Sequence, residues 1–352
     1  MKAVSVDELK AGMVLARTVT NDQFIIVLSE NTELTEANIE RLKKLDVPAV
    51  FIKDEFDLSK NFQQAAAVVK KDSAFTHDFK KVSKLAEQVF NELNDGVKAK
   101  ETTAKLAANI LPMADNHASV NYLFNLAHMN TTLALHSERV AIFSGIIAKW
   151  MHYKWEDIRT IVTAAFLHDV GKTEFSAELM NKHVEDMSED EFEIYKTHSQ
   201  KGFNLLKKLE FEEPIPSIVR YHHEQMNGNG FPKHLKGEKI HPFARVVAVA
   251  DAYDNLTSER EGNVKKTPFD AVQYFTKDVY SIFDPAVCVP LFTRIKDSLI
   301  GSTVTLSNGQ KGRVVFYPKD FSAMPTIVTE SGDEINLNRN KNFSITSYST
   351  DE

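Results

Sequence analysis

The feature that most constrains this chain is a series of histidines and aspartates that returns every few tens of residues through one long helical stretch. His136, the pair His168-Asp169, His198, the pair His222-His223 and Asp251 follow one another in that order. The gaps correspond to about one helix plus its connection, since a helix of ~12 residues spans only ~18 Å. Successive helices can therefore each aim a donor at a common centre, as helix bundles do around metal ions. Taken singly, a histidine on an apolar face is more often a packing residue than a ligand. The pair His168-Asp169 is stronger, because it follows the apolar run Ile161-Val162-Thr163-Ala164-Ala165-Phe166-Leu167. An imidazole and a carboxylate placed where burial begins need partners, and a metal ion supplies one.

Five histidines and two aspartates exceed the three or four protein ligands that one catalytic ion takes while keeping an open position. Two ions are therefore expected, bridged by the two oxygens of Asp169. His136, His168, Asp169 and Asp251 would hold one ion, and Asp169, His198, His222 and His223 the other. Paired ions about 3.5–4 Å apart neutralise charge on the attacking and leaving oxygens of a phosphodiester, so hydrolysis of a P–O bond is the expected chemistry. Nitrogen and oxygen donors without thiolate suit iron, manganese, cobalt, nickel or zinc alike. Lys172, just behind Gly171, is placed to set a cation beside a phosphate oxygen, although a solvated lysine at a helix end is the commoner meaning of such a residue. In Asn227-Gly228-Asn229-Gly230-Phe231-Pro232 the glycines allow backbone N–H groups to approach phosphate, and Phe231 offers a face to a base.

The flanks have a different texture. Met13-Val14-Leu15, Phe24 to Leu28 and Ala49-Val50-Phe51-Ile52 read as strands around a helix from Thr35 to Leu45, a small α+β unit over residues 1–60. Over 61–115 a helical connector carries Val82, Leu85, Ala86, Val89, Phe90 and Leu93 on one face, expected to pack on its own core. The helical region runs over 116–295, with Ser188 and Glu191 forming a capping box. Past Pro290 the texture turns to strands. Thr303 to Leu306 and Gly312 to Tyr317, around Asn308-Gly309, form one hairpin, and Thr326 to Val328 with Glu334 to Leu337 form a second, making a β module over 296–352. The fold class is mainly α.

Bulk properties exclude other classes. The 352 residues carry a net charge of -7, which disfavours duplex nucleic acid and anionic membranes as partners. One cysteine, Cys288, cannot form an internal disulfide, and a reducing compartment fits best. Met1 to Ala16 lacks a continuous apolar core, and nowhere do ~18 apolar residues run together, so a cytoplasmic chain is expected.

The pieces His136-Ser137-Glu138-Arg139-Val140-Ala141, His168-Asp169-Val170-Gly171-Lys172, Lys196-Thr197-His198, His222-His223-Glu224, Gly228 to Pro232 and Ala250 to Ser258 together resemble the HD-GYP family of HD phosphohydrolases. The resemblance implies an all-helical HD-GYP bundle that cleaves cyclic di-GMP to linear pGpG, and in some members onward to GMP. It also implies the seven ligands above, with iron or manganese as the divalent transition-metal ions, catalytic roles for Asp169 and Lys172, and a phosphate contact at Lys172. Gly228, Gly230, Phe231, Pro232 and Arg260 are expected to bind substrate. Val6 to Leu9 and Gly12-Met13 resemble the small domain that often precedes this catalytic domain. The flanking modules are candidates for contact with a signalling partner or a second copy.

Three departures from the family pattern stand out. Phe231 stands for the signature tyrosine and Asn227 for an aspartate. Thr132 replaces the glutamate of three-metal members, which is why two ions are expected. Arg260 is followed by Glu261-Gly262-Asn263 instead of Pro-Tyr-Lys, so Lys265 or Lys266 is a candidate replacement contact. These departures also motivate the alternatives, a receptor that binds the nucleotide intact or a phosphodiesterase for another cyclic dinucleotide.

Overall fold

A computed structural model describes residues 2–6, 9–15, 19–20, 26–29, 32–45, 47, 49–52, 73–115, 132–182, 184–258, 266–278, 281–318 and 323–349. The chain divides into two compact units, Met1–Gln64 and Ala65–Glu352.

In the first unit β1 (Lys2–Ser5) pairs antiparallel with β4 (Ala49–Ile52), and β2 (Val19–Thr20) pairs with β3 (Ile26–Leu28). Helix α1 (Glu36–Lys44) starts where the Thr35 hydroxyl accepts a hydrogen bond from the Asn38 N–H, which satisfies an amide with no partner inside the helix. Leu15, Leu34, Leu42, Val50 and Ile52 close a small core of their own. Of the strands expected from the sequence, Met13-Val14-Leu15 makes only isolated bridges at Val14 and Leu15, Phe24 and Ile25 lie outside the described residues, and β1 is a strand that the pattern had not revealed.

The second unit begins with α2 (Ser73–Asn91) and α3 (Gly96–Asp115). On α2 the stripe residues Val82, Ala86 and Val89 are fully buried, and they join the same apolar cluster as the helices that follow. The stripe thus serves its own core. Helix α4 (Leu133–Trp150) is the axis of the bundle, touching α2, α3, α5 (Trp155–Leu167), α10 (Pro242–Thr257) and α12 (Pro285–Leu299). Every residue from His136 to Ala148 is buried, as a helix surrounded on all sides requires. The short helices α6 (Ala177–Asn181), α7 (Glu189–Lys196), α8 (His198–Lys208) and α9 (Ile215–Tyr221) lie in sequence between α5 and α10, and α11 (Pro268–Asp278) follows α10. Ser188 and Glu191 do form the capping box of α7. Helix α12 continues through Pro290, near its start, to Leu299, so the change to strands comes later than the sequence texture indicated.

Strands β5 (Thr303–Leu306), β6 (Lys311–Phe316), β7 (Thr326–Thr329), β8 (Glu334–Asn336) and β9 (Ile345–Ser349) make one antiparallel sheet in the order β8-β7-β6-β5-β9. Both expected hairpins are present. Strand β9 was not expected, because its Ile345-Thr346-Ser347-Tyr348-Ser349 run buries only Ile345. Val304, Leu306, Val314 and Ile327 add the inner face of the sheet to the bundle's apolar cluster.

One backbone contact sets the position of the centre described next. After α5 a 3-10 turn, Val170–Glu174, runs against the first turn of α8. A Cβ on Gly171 would collide with the His198 carbonyl and the Gly202 N–H. Because these obstacles are main chain, no rotamer change relieves them. Gly171→Ala should lower stability by at least about 2 kcal/mol, read as a fall in the midpoint of thermal unfolding at unchanged helical content before the transition.

Candidate metal centre

Three of the histidines arrive by the same local device. His168 and His222 follow directly on α5 and α9, and His198 follows α7 by one residue. Each turns its Nδ1 back onto the carbonyl three residues earlier: Ala165 at 2.6 Å, Tyr195 at 2.6 Å and Val219 at 2.7 Å. A helix end leaves its last carbonyls unpaired, and a ring N–H satisfies one of them. The proton so committed leaves the neutral imidazole with a bare lone pair on Nε2. His136, in the first turn of α4, does the same with a side chain, placing Nδ1 2.8 Å from an oxygen of Asp254 on α10.

The four Nε2 atoms converge. His198 Nε2 and His222 Nε2 lie 3.4 Å apart, two lone pairs with no proton between them. His136 Nε2 is 3.1 Å from Asp251 Oδ1, and His168 Nε2 is 3.6 Å from the same oxygen. Asp169 stands between the groups. Its Oδ1 faces His198 at 3.3 Å, while its Oδ2 faces His168 at 3.4 Å and His136 at 3.5 Å. Two sets of potential ligands result, Asp169 with His198, His222 and His223, and His136 with His168 and Asp251. Within each set one donor atom per residue lies within 4.8 Å of the others. The chain thus brings together all seven residues singled out from the sequence, in the two groups expected, with Asp169 able to face both.

The donor set fits metal ions. His168 Nε2, His223 Nε2 and Asp169 Oδ1 are buried without a hydrogen bond, a costly state for polar atoms that a bound cation would relieve. Burial holds the imidazoles of His198 and His222 well below their ordinary pKa and takes His223 down to about 4, so all three keep free lone pairs near neutral pH. Burial also opposes charge on His168, yet the carboxylates of Asp169 and Asp251 outweigh it and lift its pKa to about 10. The same negative field favours any cation at that nitrogen. Asp169 stays ionised against its own burial because Lys172 and His168 flank it. Lys172 Nζ lies 2.5 Å from Asp169 Oδ2 and 4.8 Å from the centre of the Tyr195 ring, so its charge sits at the rim of the cluster.

Several supporting residues were not legible beforehand. Asp254 accepts from His136, from Arg139 Nε at 2.7 Å and Nη2 at 3.1 Å, and from Ser258 at 3.0 Å. This carboxylate therefore fixes the ring plane of His136. A sequence signal exists: Arg139 lies three residues after His136, and Asp254 three after Asp251, so each pair shares a helix face. Thr132 caps α4 by accepting from the Leu135 N–H. Glu138 is buried, receives the Ser83 hydroxyl from α2 at 2.8 Å, and is pushed up to about 8 by burial.

The glycine loop is held by bonds of its own. Gly228 N–H donates to Gln225 O, Asn229 N–H to Asn227 Oδ1 and Phe231 N–H to His223 O, so these three amides are engaged within the turn. Gly228 has a φ of +85°, and a Cβ on Gly230 would strike the backbone of His223 to Gln225. Glu224 clamps the far side of the loop, accepting from the Lys233 and Leu235 N–H groups at 2.7 and 2.8 Å. Phe231 lies on the His223 ring with centroids 4.7 Å apart, and half-buried Pro232 follows it. Arg260 and Lys265 lie outside the described residues.

The helices thus carry two adjacent sets of histidine and aspartate donors, each able to hold a metal ion. Residues 121–287 match the HD domain family. The chain is 35% identical over 159 residues to the cyclic di-GMP phosphodiesterase response regulator RpfG of Xanthomonas campestris pv. campestris, covering 45% of this chain and 42% of that protein. It is 36% identical over 129 residues to a cyclic di-GMP phosphodiesterase of Thermotoga maritima, covering 36% and 34%. It is 28% identical over 150 residues to 3'3'-cGAMP-specific phosphodiesterase 3 of Vibrio cholerae, covering 43% and 32%. The chain thus spans less than half the length of these curated relatives. Among solved structures, an HDG"Y"P protein from Bdellovibrio bacteriovorus shares the fold, with a TM-score of 0.51 at 19% identity over 83% of this chain and 98% of that one. Among the described residues no helix is long and apolar enough to cross a membrane.

Asp254→Asn tests the supporting shell. It should weaken metal affinity about 10- to 100-fold, measured by competition with a chelator on protein that still melts cooperatively.

Proposed function

We propose that the chain is a metal-dependent phosphodiesterase that hydrolyses cyclic di-GMP to linear pGpG. The observation that carries this reading is the Asp169 carboxylate standing between two groups of buried imidazoles, the arrangement a dinuclear hydrolytic site needs. His136, His168, Asp169 and Asp251 would hold one divalent ion and Asp169, His198, His222 and His223 the other, with iron or manganese as the proposed metals. When bound, such ions supply Lewis acidity toward phosphoryl oxygens and an acidified water.

The chain's own residues do the rest. The Nδ1 contacts of His168, His198 and His222 fix the ring planes before any ligand arrives, so little reorganisation is needed. Lys172, held at the rim by Asp169 and the Tyr195 ring, offers a fixed positive charge to negative charge that builds on a phosphate oxygen. We place this activity in the reducing bacterial cytoplasm, a reading supported by the single, buried thiol of Cys288.

Incubating the metal-loaded protein anaerobically with cyclic di-GMP and separating the products tests the proposal. Linear pGpG is expected, and intact substrate with both iron and manganese would overturn it. Asp169→Ala should lose both ions and all turnover, as read by elemental analysis and product formation. Lys172→Ala should keep its metal and lose about 100-fold in kcat/KM. The likeness to a 3'3'-cGAMP-specific enzyme of Vibrio cholerae favours a second substrate reading. Competition between the two dinucleotides in one reaction decides which is preferred.

A further inference from the structure

One turn beyond Asp251 on α10, the side-chain amide of Asn255 donates through Nδ2 to Asp251 Oδ1 at 2.7 Å. A carboxylate only accepts, so the amide must present its nitrogen there. The same Oδ1 faces His136 Nε2 at 3.1 Å and His168 Nε2 at 3.6 Å. Asp251 is buried and Asn255 half-buried, and both line a cleft of about 390 Å³ whose wall also holds His222 and His223. Asp251 therefore has imidazoles of both ligand sets beside it, and a carboxylate free to rotate could serve either. The amide settles that rotation. A carboxylate oxygen carries two lone pairs, and with one taken by Asn255, Oδ1 keeps a single direction for a cation, toward His136 and His168. Helical spacing makes the arrangement possible, since Asp251, Asp254 and Asn255 stand at i, i+3 and i+4 on one face of α10. Asp254 holds the Nδ1 side of the His136 ring, and Asn255 holds the carboxylate that meets its Nε2 side.

We propose that Asn255 is a positioning residue that fixes Asp251 as the ligand of one ion, the ion shared with His136 and His168. The proposal rests on the two-ion reading of the centre and is independent of the substrate. The two aspartates thereby take different parts. Asp169 turns Oδ1 to His198 and Oδ2 to His168 and His136, so it faces both sets, whereas Asp251 is held to one. A hydrogen-bonding partner behind a ligand governs metal affinity by about 10- to 100-fold. The loss expected on removing the Asn255 donor therefore falls on one ion and spares the other, a pattern that general damage to the bundle does not produce.

Loading the full chain with manganese and withdrawing the metal by competition with a chelator tests this. Wild-type protein should release two ions. Asn255→Leu keeps the shape of the side chain without its donor, and should weaken one ion about 10- to 100-fold while the other is unchanged. Asn255→Ala, a good helix former at this half-buried position, should do the same. Asn255→Gln keeps the donor and should hold that ion more tightly than Asn255→Leu does. In a His136→Ala background, where the first set is already broken, Asn255→Leu should not change the ion that remains, whereas in a His198→Ala background its effect should persist. Equal loss of both ions in the leucine and alanine variants, or loss of neither, overturns the role of Asn255. A glutamine variant as weak as the leucine variant does so too, as does further loss of the remaining ion in the His136→Ala background. Wild-type protein that holds fewer than two ions overturns the two-ion reading along with it. The expected pattern in a protein that leaves cyclic di-GMP intact overturns the phosphodiesterase and upholds Asn255. Cleavage of cyclic di-GMP, with both ions held as tightly in Asn255→Leu as in wild type, overturns the role of Asn255 alone.

Discussion

The centre depends on where four histidines spend their one ring proton. Ala165, Tyr195 and Val219 offer carbonyls that their helix ends leave unpaired, and Asp254 offers a carboxylate oxygen to His136. With Nδ1–H fixed there, the neutral rings of His198 and His222 face inward with Nε2 lone pairs, and the two nitrogens are brought to 3.4 Å with nothing to share. Two such nitrogens cannot hydrogen-bond to each other in their neutral forms. The local backbone rule at helix ends thereby creates the demand for cations at the middle of the bundle.

Negative charge answers that demand from two sides. Asp169 and Asp251 sit within 3.1–3.6 Å of the inward nitrogens of His136 and His168. Lys172 from the rim and the buried Arg139–Asp254 pair behind His136 keep the field balanced. Removing one member of a buried pair leaves an uncompensated charge, which costs far more than the pair itself contributes. The cluster is therefore a network whose members keep one another ionised.

How much of this the sequence disclosed follows from the range of each interaction. Short-range signals were readable: the Val82, Ala86 and Val89 stripe, the Ser188–Glu191 capping box, the Asn308-Gly309 hairpin and the seven polar residues spaced one helix apart. What was hidden arises between elements distant in the chain. The roles of Asp254, Glu224 and Ser83 depend on which helix comes to lie beside which, and β9 finds its place only next to β5. The glycine loop was legible as a turn, but not that its amides close on His223 and Gln225, because that needs the path of the backbone in space.

The contact of Gly171 with the main chain of His198 and Gly202 has a consequence for how this protein can vary. Most distances in a folded core are relayed through side chains, and drift as those side chains are exchanged over generations. Here the segment bearing His168 and Asp169 abuts the segment bearing His198 peptide against peptide. Their spacing is thus insulated from turnover in the surrounding apolar residues, and the helices around it are free to diversify while the reactive geometry stays in register.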